Sequence, residues 1–132
     1  EARGEPWDGQ IAVAWVIRNR AEQPSWWGET ISEVCKKPWQ FSVWNAGDPN
    51  KVLVETVQPS VPAFRRAMGI MALVLSGDLS DPTGQGTHYH TAVSPQSDQQ
   101  WPPSWAMKMR QTARIGSHVF YRDWLPSERT QA

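Results

Sequence analysis

Apolar residues crowd the stretch from Ile11 to Ile17. Ile11, Ala14, Trp15 and Arg18 fall on one side of a helical wheel, and Val13, Val16 and Ile17 widen the apolar arc. So wide an arc predicts a central, mostly buried helix from about Asp8 to Glu22, entered at Pro6 and left at Pro24. Thr30 and Glu33 have capping-box spacing, so a short helix through Val34 and Cys35 should follow and stop before Pro38. The proline-punctuated stretch from Asn45 to Pro62 reads as an irregular excursion. From Pro62, the three- and four-residue spacing of Phe64, Ala67, Met68, Met71, Ala72 and Leu75 predicts a second long helix, with Gly77 as its C-terminal cap.

The pattern then changes period. Asp81 to Gly86 has turn chemistry, and Thr87 to Thr91 alternates like a short strand. Pro95 to Ser104 reads as loop, Met107 to Ala113 as a last helical turn or two, and Ile115 to Tyr121 as another strand. The expected fold class is α+β: one domain over residues 1–132, helical in its first half, with a small sheet or hairpin in its second.

Charge removes some partners from consideration. Thirteen basic and thirteen acidic residues cancel, so the chain lacks the electrostatic footprint of a nucleic-acid binder. Arg65-Arg66 and the basic run from Lys108 to Arg114 read as solvated helix faces. No stretch approaches the roughly 20 apolar residues that span a bilayer, so membrane insertion is not expected. No secretory leader is visible ahead of Glu1, and the missing initiator Met suggests that upstream residues have been removed. A single cysteine, Cys35, rules out an intrachain disulfide and reads as a small apolar residue rather than a nucleophile.

Tryptophan changes the picture more. There are nine, against three Phe and two Tyr, more than a small core buries easily. Trp26, Trp27, Trp39, Trp44, Trp101 and Trp105 stand in polar or proline-rich stretches, which points to an open groove lined by flat rings. Such rings suit the C–H faces of sugars or a proline-rich peptide.

Three groups of residues carry candidate chemistry. Glu1, Glu5 and Asp8 precede the first helix, where carboxylates either complement its positive end or supply a catalytic acid. His88 and His90, two apart on a strand, share one face, and His118 on a neighbouring strand would complete a three-histidine zinc site. The commoner role of strand histidines is hydrogen bonding to a loop or a substrate, and no metal or other cofactor is expected. Gln40-Phe41-Ser42 with Trp44 lacks the Gly-x-Ser-x-Gly nucleophile elbow and reads as a ligand-contacting surface.

Taken in order, Glu1-Ala-Arg-Gly-Glu5-Pro6, Gly9-Gln10 to Arg20, Thr30-Ile31, Gln40-Phe41-Ser42 with Trp44, and Asp81-Pro-Thr-Gly84-x-Gly86-x-His88-Tyr89-His90 form a series. Trp105 and Ile115-Gly116-x-His118-x-Phe120-Tyr121 complete it. The series resembles the cell-wall hydrolase family typified by bacterial spore cortex-lytic enzymes, which includes phage and prophage lysis enzymes.

The resemblance implies a lysozyme-like or lytic-transglycosylase-like domain. Its substrate would be peptidoglycan, cut between N-acetylmuramic acid and N-acetylglucosamine, with Glu1 as the catalytic residue. Glu5, Gln40, Phe41, Ser42, Trp44, His88, Tyr89, His90, Trp105 and His118 would line the glycan groove. Members of the family carry a helix ahead of this glutamate, so such a helix is expected upstream. The resemblance also implies a monomer that acts on the bacterial cell wall after secretion, in the periplasm or after phage release. Hydrolysis by a muramidase, a zinc amidase built on the histidines, and a non-catalytic sugar-binding module are the alternatives.

Overall fold

The computed structural model describes residues 2, 4–37, 41, 47–58, 60–94 and 100–129. Helix α1 (Trp7–Glu22) follows Pro6 and presents apolar residues on most of its circumference, because three layers pack on it. Helix α2 (Ile31–Lys36) is capped by Thr30, whose Oγ1 accepts the Glu33 amide at 3.1 Å. The Glu33 carboxylate reaches back to the Glu29 amide at 3.0 Å, one residue before the cap. Helices α3 (Lys51–Thr56) and α4 (Pro62–Ser76) follow, and Gly77 closes α4 at φ +83°, where a side chain would be strained.

Strands β1 (His88–Thr91), β2 (Arg110–Ile115) and β3 (His118–Arg122) form an antiparallel sheet in the order β1-β3-β2. A 3₁₀ helix, Ser104–Lys108, precedes β2, and α5 (Pro126–Arg129) follows β3. Glu128 of α5 pairs with Arg110 and Arg122 and so holds the end of the chain to the sheet. The α+β class expected from the sequence, helices first and a small sheet later, is the class observed.

The core is built around α1. Ile11 and Ala14 pack on Ile70 and Val74 of α4, while Ala12 and Val16 pack on Phe120 of β3, which is fully buried. Trp27, Val34 and Phe41 close a third cluster against Ile17 and Ala21. The far face of the sheet carries its own cluster of Ala106, Val119 and Tyr121, backed by Trp105.

Four local expectations need correction. The stretch from Asn45 to Pro62 contains the one-and-a-half-turn helix α3. The segment from Met107 to Ala113 is the end of the 3₁₀ helix followed by most of β2, because its residues complete the sheet on β3. The basic run from Lys108 to Arg114 therefore lies largely on a strand and not on a helix face. Ile115 to Tyr121 is the tip of a hairpin: Ile115 pairs with His118 across Gly116-Ser117, and Gly116 takes the positive φ the turn requires. On α4 the buried residues are Ile70 and Val74; Met68, Ala72 and Leu75 face outward, because α1 covers only one side of a helix that is apolar nearly all round.

Candidate functional site

Backbone alternation distributes the candidate residues over two faces of the sheet. Tyr89 stands opposite Phe120, and its ring meets His118 at 4.8 Å and Phe120 at 5.6 Å, on the side covered by α1. His88 and His90 stand opposite Tyr121 and Val119 and point to the other side. The sheet thus separates His118 from His88 and His90, and the three-histidine set is not assembled. Among the described residues no cluster of His, Cys, Asp and Glu is placed to hold a metal ion.

His118 belongs to a junction with the segment ahead of α1. The Glu5 carboxylate accepts the Ser117 amide at 2.9 Å through Oε1 and the Ser117 hydroxyl at 2.6 Å through Oε2. His118 Nδ1 lies 3.2 Å from the same Oε1. The two Ser117 hydrogen bonds, followed by the charge of His118, hold the Glu5 pKa below its ordinary value against the opposing effect of burial. A Cβ on Gly116 would stand 2.8 Å from Glu5 Oε1, so the hairpin glycine serves both the turn and the approach of the carboxylate. Glu5, expected at the groove surface, is a tether between the turn ahead of α1, where its amide meets the Ala2 carbonyl, and the β2–β3 hairpin, with both oxygens engaged by the protein.

On the opposite face the rings form a continuous band. Trp26 meets Trp27 at 5.4 Å, Trp27 meets His88 at 5.8 Å, and His88 meets Trp105 at 5.4 Å. Trp105 continues to His90 at 5.8 Å and to Tyr121 at 5.4 Å, and Trp101 closes on His90 at 5.4 Å. His88 is half-buried in this band, and its Nδ1 is 3.0 Å from the Thr87 hydroxyl.

His90 sits deeper. Its Nδ1 is 2.7 Å from the Thr91 carbonyl and its Nε2 is 2.8 Å from the Tyr121 hydroxyl. A carbonyl only accepts, so Nδ1 carries the proton and Nε2 accepts from Tyr121. Both nitrogens are therefore used internally, which makes His90 a support beneath the band rather than an open ligand contact. Phe41 likewise is a core residue, 4% exposed, in the cluster with Trp27 and Val34. Glu1, Gln40, Ser42 and Trp44 lie outside the described residues.

Polar residues at the end of α1 hold the band in place, and pattern reading missed them. Asn19 donates through Nδ2 to Asp81 and to the Gly86 carbonyl, both at 3.0 Å, while Asp81 gathers the Thr83 and Gln85 amides of its own turn. Arg20 is 5% exposed; it donates through Nε to the Thr87 carbonyl at 2.6 Å and lies over the rings of Trp27 and Phe41. The signal was present: two polar residues interrupt an otherwise apolar arc. Cys35 is partly buried, and burial raises its pKa, which suits a packing role over a nucleophilic one.

Burial pushes His88 down to about 4, and the Arg20 charge adds to the effect. The folded state therefore refuses a proton that the unfolded chain takes up near the ordinary value of 6.5. Stability should be insensitive to this residue above that value and fall progressively as pH drops from 6.5 towards 4. Urea titrations across that range should show a smaller loss for His88→Gln than for the parent protein. Equal slopes would place the acid sensitivity elsewhere.

Similarity to known proteins follows the same residues. A 120-residue stretch is 32% identical to a spore cortex-lytic enzyme of Halalkalibacterium halodurans, and 127 residues are 29% identical to the spore cortex-lytic enzyme of Bacillus subtilis. Each match takes in 91% of this chain but only 31% and 33% of the relative, so the chain spans about a third of the length of the curated proteins it matches.

The fold superposes on the catalytic domain of a germination-specific lytic transglycosylase from Bacillus anthracis with a TM-score of 0.61 at 27% identity. That match covers 92% of this chain and 84% of the other. The catalytic domain of the Bacillus cereus SleB protein matches with a TM-score of 0.57 at 26% identity, over 91% of this chain and 79% of that one. The sequence profile of the Cell Wall Hydrolase family matches residues 4–121, from the turn before α1 to the last residue but one of β3, and the chain belongs to that family.

Proposed function

We propose that this domain cleaves the glycan strands of peptidoglycan between N-acetylmuramic acid and N-acetylglucosamine, as a lytic transglycosylase with Glu1 as its one catalytic carboxyl group. The observation that carries the reading is the family match over residues 4–121, from the turn before α1 into β3, joined to the state of Glu5. A conventional glycosidase works with a pair of carboxyl groups across the scissile bond. Glu5, the acid next after Glu1 in the sequence, has both oxygens committed to Ser117 and His118, which favours a one-carboxyl reaction.

In that reaction Glu1 first gives its proton to the leaving glycosidic oxygen as the C1–O bond of the muramic acid residue breaks. The resulting carboxylate then takes the proton of the same sugar's 6-hydroxyl while O6 bonds to C1. Glu1 ends protonated, as it began, and the product is a 1,6-anhydro ring. No water, metal or other cofactor enters the balance. The domain acts on the cell wall as a monomer. His88 and Trp105, together with Gln40, Ser42 and Trp44, shape the groove, while Tyr89 and His118 support it from the other face of the sheet.

Mass spectrometry of digested glycan strands tests the reaction. Anhydro-muramic ends are the expected product. Reducing ends, heavier by one water, would make the domain a muramidase. Cleavage at the peptide linkage, lost on chelation and restored by zinc, would overturn the glycan reading altogether.

A further inference from the structure

Trp26 stands at the outer end of the ring band, outside the buried core. The residue is 53% exposed, and its ring meets that of Trp27 in a T-shaped contact at 5.4 Å; Trp27 is 6% exposed and anchored by an indole N–H to Arg20 carbonyl bond of 2.8 Å. Beside it opens a cleft of about 500 Å³ lined by Trp26, Trp27, Glu29, Glu33, Lys36 and Lys37.

The cleft is preformed. Gly28 holds φ +114° and its α-carbon packs so closely on α2 that an added Cβ would lie 2.7 Å from the Glu33 Cβ. The Glu29 amide and Glu33 carboxylate fasten the same turn to the start of α2. A half-exposed indole at the mouth of this cleft is a platform with apolar ring surface open to a ligand.

The charges at the cleft select its ligand. Two glutamates and two lysines balance, so nothing in their sum favours an anion such as a stem-peptide carboxylate or a phosphodiester. Carboxylates accept and ammonium groups donate, and sugar hydroxyls do both. An apolar ring face bordered by acceptors and donors in equal number fits an uncharged pyranose with its C–H face on the indole.

The ring band gives the direction. Trp27 connects Trp26 to His88 at 5.8 Å, and His88 leads on to Trp105 at 5.4 Å. We infer that Trp26 and its cleft form an outlying subsite for a neutral N-acetylhexosamine residue of the strand whose cleavage is proposed above. This rests on the glycan-cleaving reading and adds to it a dependence on strand length. A strand long enough to reach Trp26 is held by one more stacking contact, and that contact lies away from the bond being broken. It therefore acts on KM and leaves kcat alone.

The test compares the parent protein with Trp26→Ala and Trp26→Phe on two substrates: long peptide-free glycan strands and the shortest oligosaccharide that is cut. Trp26→Ala should raise KM for long strands about five- to tenfold, with kcat unchanged and the short substrate unaffected; Trp26→Phe should recover most of the loss. In parallel, β-1,4-linked tetra-N-acetylchitotetraose is titrated into the parent protein while the Trp26 indole N–H signal is followed by NMR. A saturating shift is expected, absent from spectra recorded with a free anionic stem peptide. Unchanged KM on long strands in Trp26→Ala, or a shift driven by the stem peptide in place of the sugar, overturns the subsite and leaves the cleavage reading intact. Saturable chitotetraose binding at Trp26 in a protein that cuts no glycan supports the subsite and counts against the cleavage reading.

Discussion

Glu1→Gln should release no soluble glycan from purified sacculi, with turnover down by roughly a thousandfold, while the thermal unfolding midpoint stays where it was. The amide keeps the size and shape of the acid but has no proton to give the glycosidic oxygen and no charge with which to take one back. Both halves of the proposed reaction fail together, so the loss belongs in kcat, and binding to sacculi should persist. Retained binding with lost cleavage also separates an enzyme from a sugar-binding module, whose behaviour the substitution would not alter. Clearing of a sacculus suspension at the parent rate by Glu1→Gln would remove Glu1 from the chemistry.

Glu5→Ala should cost about 2 kcal/mol of stability, since the Ser117 amide and hydroxyl lose their acceptor and His118 loses the carboxylate 3.2 Å from its Nδ1. Its effect on activity should exceed what unfolding explains: at a temperature where the variant is fully folded, kcat should fall at least tenfold while KM changes little, because the turn that follows Glu1 in the chain is no longer held to the hairpin. Ser117→Ala removes only the 2.6 Å hydroxyl bond and should lose about 1 kcal/mol.

The same junction makes a statement about pH. The Glu5 pKa is lowered in the folded protein, so the unfolded chain binds the proton first as pH falls. The stability that the carboxylate contributes is complete above its ordinary value near 4.5 and is lost as pH drops through the folded value. Glu5→Gln should flatten that acid limb in urea titrations. An unaltered limb together with parental kcat would make the tether incidental.

The long elements were legible because each carries its period over several turns. Helix α1 was expected from Asp8 to Glu22 and runs Trp7–Glu22, and α4 begins at Pro62 and ends before Gly77 as its punctuation indicates. Helix α3 was hidden because it has no buried residue, so its apolar Val52, Leu53 and Val54 follow no core-facing pattern. Strand β2 was hidden for two reasons: its sequence Arg-Gln-Thr-Ala-Arg-Ile is mostly polar, and a register shift between Gln111 and Ala113 breaks the alternation that marks a strand.

At the site, the residue types were readable but the faces were not. His118 shares a residue type with His88 and His90 yet lies across the sheet from them, and only the pairing of β1 with β3 decides that. Glu5 could be recognised as a candidate acid, but its partner stands 112 residues away, beyond any local pattern.

That separation has a consequence for the order in which the protein assembles. A contact between residues 5 and 117 closes nearly the whole chain into a loop, and its entropic cost falls on the last contacts to form. The hairpin tip at Gly116-Ser117 must exist before Glu5 has anything to dock on. During refolding, the buried signals of α1 and the sheet should therefore recover before Glu5 docks on Ser117. A chain still short of its β2–β3 hairpin leaves the Glu5 carboxylate without its Ser117 donors, so under the proposed reaction a partly synthesised copy should not yet cleave glycan.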